Sequence, residues 1–410
     1  MSLSSRNCVR GATVAAASVA AAALSATAGA ADFYYQPIVS LRTGYNTNVD
    51  LETQNQQSAV GYFADAATNI GIATQRSETI LQPRLLYNYY PSASQRNRLE
   101  GFLNLNSRYS WERDRFNIVG FFDHRDDVNA NQPTATDNTV NPGVGNTTPD
   151  TGHAQVGTTR NYTIIDPTYT HLLSPLSAVG LAGEYQRMDY SPSDTSAHLD
   201  FQYYKGRLFY SRTIDLRTDY AIGVFGSKYQ ARNTDTHSTS GGLQFDGGYN
   251  WSQVLRSELS VQWQHTKLDE TQPKFFDVSS NPWAASFSTV YKTQASSYRV
   301  SIGRTIYPSS AGGLYTTDQV RGQYDRDFTQ RLHFTGAVRY FRDRTTTGVS
   351  GDTTRDYATA NVQLQYMMTQ RFFVAGNYTY IYQKYRVQPN SADTNVVSLT
   401  IGYRGLERQR

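Results

Sequence analysis

The sequence predicts an all-β protein that crosses a membrane as a closed, antiparallel up-and-down barrel of about eighteen strands, with sixteen as the alternative. Three observations predict it. Apolar and polar residues alternate with period two along almost the whole chain, aromatic residues recur at the ends of the alternating runs, and no segment approaches the roughly 20 consecutive apolar residues of a membrane helix. Aromatic residues make up 13% of the 410 residues, with 31 Tyr against 4 Met, while mean hydropathy is negative at -0.56. A barrel reconciles these facts, because only every second residue meets lipid and the others line water.

The N-terminus carries an export signal in its pattern. Arg6 and Arg10 form a basic start, Ala12 to Leu24 is a short run dominated by Ala and Val, and Ala28-Gly29-Ala30 offers the small residues that a signal peptidase reads. Residues 1–30 are therefore expected to be a removed signal peptide, with cleavage one residue later as the alternative, and 31–410 a single barrel domain. Cys8, the one cysteine, would leave with the leader, so no disulfide, thiolate metal site or cysteine nucleophile is expected.

Upward strands are expected near 35–46, 76–90, 115–126, 177–190, 218–231, 256–268, 297–307, 331–342 and 371–386. Downward strands are expected near 58–73, 97–111, 159–172, 195–212, 237–251, 284–293, 314–327, 355–368 and 394–403. The clearest alternations are Leu99, Leu103, Leu105 and Tyr109 against Asn104, Asn106 and Arg108; Leu243, Phe245, Tyr249 and Trp251 against Gln244, Asp246 and Asn250; and Ala358, Ala360, Val362, Leu364 and Tyr366 against Thr359, Asn361, Gln363 and Gln365. The runs at 58–73 and 284–293 are small or polar, and Lys205-Gly206-Arg207 breaks the parity of 195–212 as a bulge or turn would.

Tight connections carry turn residues at Ser174-Pro175-Leu176, Thr218-Asp219, Thr329-Gln330-Arg331 and Thr369-Gln370-Arg371. Long polar loops run from Asp127 to Thr159, about Asp269 to Trp283 and Thr345 to Thr354, and all fall at one end, as short periplasmic turns and long outer loops require. The end of the chain, Val397, Leu399, Ile401 and Tyr403 alternating with Ser398, Thr400 and Gly402, is expected to be the closing strand and assembly signal. Arg404 to Arg410 would follow it as a short periplasmic tail.

Parity places Arg42, Arg84, Arg108, Arg299, Arg321 and Arg339 inward, together with Glu100, Asp246 and Glu258 and with Glu78, Glu184 and Asp325. The favoured reading is that these arginines pair with the inward carboxylates and stiffen the wall, because the signs are nearly balanced; the alternative is anion selection, since guanidinium stays charged and offers several donors. Outward Tyr45, Tyr109, Trp111, Trp251, Trp263, Tyr340 and Tyr403 fit aromatic girdles at headgroup level. Thirty-eight basic and 34 acidic residues give no concentrated basic stripe of the kind that binds nucleic acid.

No enzyme is expected. None of the seven histidines has a metal-binding spacing, and no nucleophile elbow or phosphate loop is present, so neither metal nor other cofactor is expected. The Asp123-His124-Arg125-Asp126-Asp127 cluster is the best acid/base candidate, but the favoured explanation is a solvated loop edge or a divalent-ion and lipopolysaccharide contact.

Three passages, Ser40-Leu-Arg-Thr-Gly-Tyr-Asn-Thr-Asn48, Leu81-Gln-Pro-Arg-Leu85 and Ser301-Ile-Gly-Arg-Thr-Ile-Tyr-Pro-Ser-Ser-Ala-Gly-Gly-Leu314, resemble segments of the outer-membrane β-barrel porins that accompany exopolysaccharide production, of alginate-exporter type. The resemblance implies a Gram-negative outer-membrane location and a pore assisting passage of a polysaccharide or other anionic solute. It also implies polysaccharide synthesis and export proteins as partners, beside lipid, lipopolysaccharide and the barrel assembly machinery. The alternatives are a general diffusion porin and a structural or adhesive barrel.

Overall fold

The computed structural model describes residues 31–131, 157–192, 198–232, 236–269, 278–310, 312–345, 354–386, 390–406 and 408–409. The expected signal peptide and the middle of the longest loop lie outside these residues.

Strong alternation gives long strands. They are β1 (Asp32–Asn46), β2 (Ala59–Ala73), β3 (Ser77–Tyr89), β4 (Arg98–Ser110), β5 (Asp114–Asp126), β6 (Thr159–Ser174), β7 (Ser177–Ser191), β8 (Phe201–Thr213) and β9 (Thr218–Ala231). The second half holds β10 (His237–Asn250), β11 (Leu255–Asp269), β12 (Trp283–Lys292), β13 (Ser296–Ser309), β14 (Gly313–Asp327), β15 (Leu332–Thr345), β16 (Arg355–Met367), β17 (Phe372–Tyr385) and β18 (Ser391–Arg404). Each pairs antiparallel with the next, and β1 pairs with β18 from Ile38↔Arg404 to Asn46↔Val396, so eighteen strands close into a barrel. The runs at 58–73, 195–212 and 284–293 are all strands, which excludes sixteen.

The exterior is apolar where water would make that costly. Leu41, Leu99, Leu181, Leu208, Val338 and Val397 are 66, 59, 57, 59, 57 and 56% exposed, and each stands on the outward parity of its strand. A continuous exposed band of this kind is stable only against hydrocarbon.

Two local expectations change. The Lys205-Gly206-Arg207 break is no bulge: β8 keeps one register with β7 and β9 throughout, and the parity slips because Phe201 and Tyr203 point inward into a packed interior. The irregularity in this region falls instead between Leu172 and Ser174. The turn expected at Thr218-Asp219 lies at Ile214 to Arg217, where the Asp215 carboxylate accepts N–H bonds from Arg217 (2.8 Å) and Thr218 (2.7 Å), and those bonds hold its pKa below the ordinary carboxylate value. Past Arg404, Gly405 donates to the Pro37 carbonyl (2.8 Å) and Arg408–Gln409 pairs with Tyr34–Tyr35 at the start of β1.

Candidate functional site

The expected lumen arginines all stand on the inward parity but serve different contacts. Arg84 is held by Asp65 through Nε and Nη2 (3.0 and 2.7 Å) and lies over the Phe102 ring. Arg108 pairs with Glu78, and Arg42 stacks on Phe63, 4.0 Å to the centroid. Of the carboxylates, Asp246 meets Arg207 (2.6 Å), Glu258 meets Arg256 (2.9 Å), and buried Glu100 accepts from the Asn129 amide (2.6 Å). Arg84 and Arg108 thus pair with carboxylates as the wall-stiffening reading expects, whereas Arg42 meets a ring and Asp246, Glu258 and Glu100 meet Arg207, Arg256 and Asn129.

Arg299, Arg321 and Arg339 differ. They lie on the consecutive strands β13, β14 and β15; Arg321 sits directly opposite Arg339, and Arg299 lies opposite Gln323, one inward position along β14. Arg339 donates to the Gln319 amide oxygen (3.3 Å) and lies over the Phe341 ring. Like charges directly opposite in a sheet repel, so the three arginines crowd positive charge on this part of the wall, with the carboxylate of Asp325 at the next inward position along β14 after Gln323.

At the periplasmic end the lumen opens into a cavity of about 890 Å³. Small polar residues such as Thr170, Ser211, Ser286 and Ser288 leave the space, and Asp219, Asp246, Arg256 and Glu258 supply its charge. A Cβ at Gly248 would fall 2.3 Å from Arg256 Nη2 and 2.8 Å from Asp219 Oδ2, so the ends of those two side chains would have to shift.

The outer end is packed, and the sequence did not reveal its key residues. The β13–β14 hairpin, whose turn holds Gly312 at φ 95°, leans across the lumen. Leu314 and Ile306 join Tyr162, Met188, Tyr190, Phe201, Tyr203 and Tyr229 from the inner face of β6 to β9 in one apolar cluster. The Tyr229 hydroxyl donates to the Ser309 carbonyl (2.9 Å) and the Leu199 N–H to the Ser310 carbonyl (2.8 Å). His198, stacked on Tyr190, bridges Ser310 Oγ (3.0 Å) and Asp127 (3.1 Å). On the other face of the tip the Tyr307 hydroxyl donates to Asp343 (2.9 Å), which is fully buried and paired with buried Arg355 (3.2 Å). The tip of that passage, Ile306 to Ser310 and Gly312 to Leu314, thus folds in against the opposite wall at the outer end.

The Asp123 to Asp127 cluster is not a solvated edge. Asp123, Arg125, Asp126 and Asp127 are buried, with Asp123 between Arg125 (2.9 Å) and Arg160 (3.1 Å) and Asp126 bonded to Arg96. Only His124 faces out, against Asn161 (2.7 Å). Carboxylates already neutralised by guanidinium are poor acid/base groups, and no group of three metal-ligating side chains occurs among the described residues.

The expected girdle residues divide between the rims. Tyr45, Trp263 and Tyr340 stand toward the outer ends of their strands, while Tyr109, Trp111, Trp251 and Tyr403 stand at the periplasmic ends, where Trp111 packs on Tyr109 (5.9 Å) and Tyr403 on Phe372 (5.2 Å). Val397, Leu399 and Ile401 face lipid along the closing seam, opposite Tyr45, Thr43 and Leu41.

A closed barrel with an apolar band, two aromatic rims and a polar lumen defines an integral protein of the Gram-negative outer membrane. In keeping with this, the family described as outer membrane protein beta-barrel domain matches residues 216–404. No curated protein matches the chain. Similar solved structures include Pseudomonas aeruginosa OccK2 (OpdF) in complex with glucuronate (TM-score 0.47, 10% identity, covering 91% of this chain and 98% of that one). Acinetobacter baumannii OccAB3 gives a TM-score of 0.45 at 10% identity, covering 90% and 98%. Pseudomonas aeruginosa OpdK with vanillate gives 0.43 at 11% identity, covering 91% and 99%.

Proposed function

We propose that this barrel is a solute channel, a porin that passes small polar solutes with a preference for anions and opens by displacing its own β13–β14 tip. The observation that carries the reading is the Arg299, Arg321 and Arg339 cluster facing the lumen on adjacent strands. A fixed positive patch in a narrow, low-dielectric passage raises the local concentration of anions and repels cations. Arg84 and Arg108, engaged by carboxylates, contribute mainly to the wall. Reversal potentials across planar bilayers in a salt gradient test this. Arg299→Ala/Arg321→Ala/Arg339→Ala should shift selectivity toward cations, and an unchanged reversal potential would reject the role.

The second reading is passage of an exopolysaccharide outward. One observation favours it: the hydroxyl-rich cavity, whose lining carries both carboxylates and arginines, lies at the periplasmic end, where a polymer leaving the cell would enter. Polysaccharide secretion measured in a strain lacking the protein distinguishes the two, since only the export reading expects it to fall.

A further inference from the structure

The outer rim of β13 to β17 carries a row of charges in strict alternation. Arg304 is directly opposite Asp318, Asp318 opposite Arg342, Arg342 opposite Asp356, and Asp356 opposite Lys384. All five stand on the outward parity of their strands. The next outward residues toward the membrane, Ile302, Val320, Tyr340, Ala358 and Tyr382, are uncharged, so the row sits immediately beyond the apolar band. Arg344 lies one outward position beyond Arg342, and exposed Arg386 follows Lys384.

Contacts along the row hold it rigid. Arg304 meets Asp318 (2.6 Å) and lies over the Trp283 ring (4.4 Å to the centroid). Arg342 meets Asp356 (2.6 Å), which also accepts from the Tyr340 hydroxyl (2.8 Å), and Arg344 reaches Asp318 (3.5 Å). Asp393, outward on β18 opposite Tyr382, brings the carboxylates to three against five cations, so the patch keeps a positive excess. On β1 to β4 the outward face is uncharged at the corresponding ends, where Tyr45, Val60, Tyr62, Tyr87, Tyr89 and Leu99 are exposed, whereas β7 to β11 carry Arg187, Asp189, Lys228, Arg232 and Lys267 at theirs.

We infer that this patch docks the phosphorylated headgroup of the outer-leaflet glycolipid, with the phosphates of lipid A on Arg342, Arg344, Lys384 and Arg386. The chemistry fits at each point. Guanidinium binds phosphate through paired donors, the depth matches a headgroup resting on the apolar band, and the carboxylates keep the guanidinium groups extended along the wall before the lipid arrives. A ladder that only stapled strands together would need no surplus cations, and Lys384 and Arg386 are exposed ends of the row.

The test uses the full chain in phosphatidylcholine vesicles doped with either diphosphorylated lipid A or the same lipid with its phosphates removed. The wild type should bind the phosphorylated lipid more tightly. Lys384→Gln/Arg386→Gln should weaken that binding roughly tenfold while leaving the heat-modifiability temperature in the dephosphorylated lipid unchanged. Equal affinity of the wild type for both lipids, or unchanged affinity in the variant, overturns the inference. Should the double variant fail to assemble, Arg344→Gln alone is read against the same two lipids with the same criteria.

Discussion

Single residues show how far parity could be read and where it stopped. Arg84, Arg108 and Arg299 all occupy inward positions for the same reason, yet Arg84 and Arg108 have carboxylates opposite or beside them and Arg299 has Gln323. Parity fixes the face, but the cross-strand neighbour depends on register, which a single sequence does not specify. The same limit hid Asp200, in the loop before β8. Its carboxylate accepts the Tyr190 N–H (2.8 Å), and burial, with Asp189 beside it, pushes its pKa up to about 6. The unfolded value is about 3.9, so the folded protein holds this proton more tightly. That loop therefore gains stability as pH falls from about 6 toward about 4, and loses it as pH rises through about 6. Channel openings should be rarer at pH about 4.5 than at pH about 7, and Asp200→Asn, which leaves His198 in place, should reduce the difference; an identical pH response in the variant would contradict the assignment.

Among elements, most strands were legible from alternation, while β2 and β12, small or polar in sequence, and β8, whose parity slips, were weak and left sixteen strands as an alternative. The tip of β13 and β14 was legible only as a motif. Its apolar residues obey no parity with respect to lipid, since Ile306 and Leu314 pack against the inner face of β6 to β9. The same packing misled the reading of β8, where Phe201 and Tyr203 are apolar because they meet a core. A barrel with a dry outer end violates the rule that apolar means outward. If the tip is the closure, Leu314→Ala should cost about 2–5 kcal/mol locally and raise the fraction of time the channel conducts, measured in single-channel records. An unaltered open fraction would assign the closure to other loops.

For the whole molecule, the sequence conveyed the closed barrel, its orientation and its aromatic rims, because these follow from period two and from loop length. What it could not convey is the division of the lumen into a polar periplasmic cavity and a packed outer end, since both are built from contacts between strands far apart in the chain, such as Tyr229 with Ser309. The account depends on neighbouring side chains of one strand meeting different solvents. Spin labels placed one at a time at residues 299 to 302 of β13, in a Cys8→Ser background and in bilayers, test this most directly. Labels at Val300 and Ile302 should collide with oxygen dissolved in lipid, and those at Arg299 and Ser301 with a water-soluble nickel chelate, in strict alternation. Uniform accessibility along the four positions would contradict a lipid-facing exterior around a hydrated lumen.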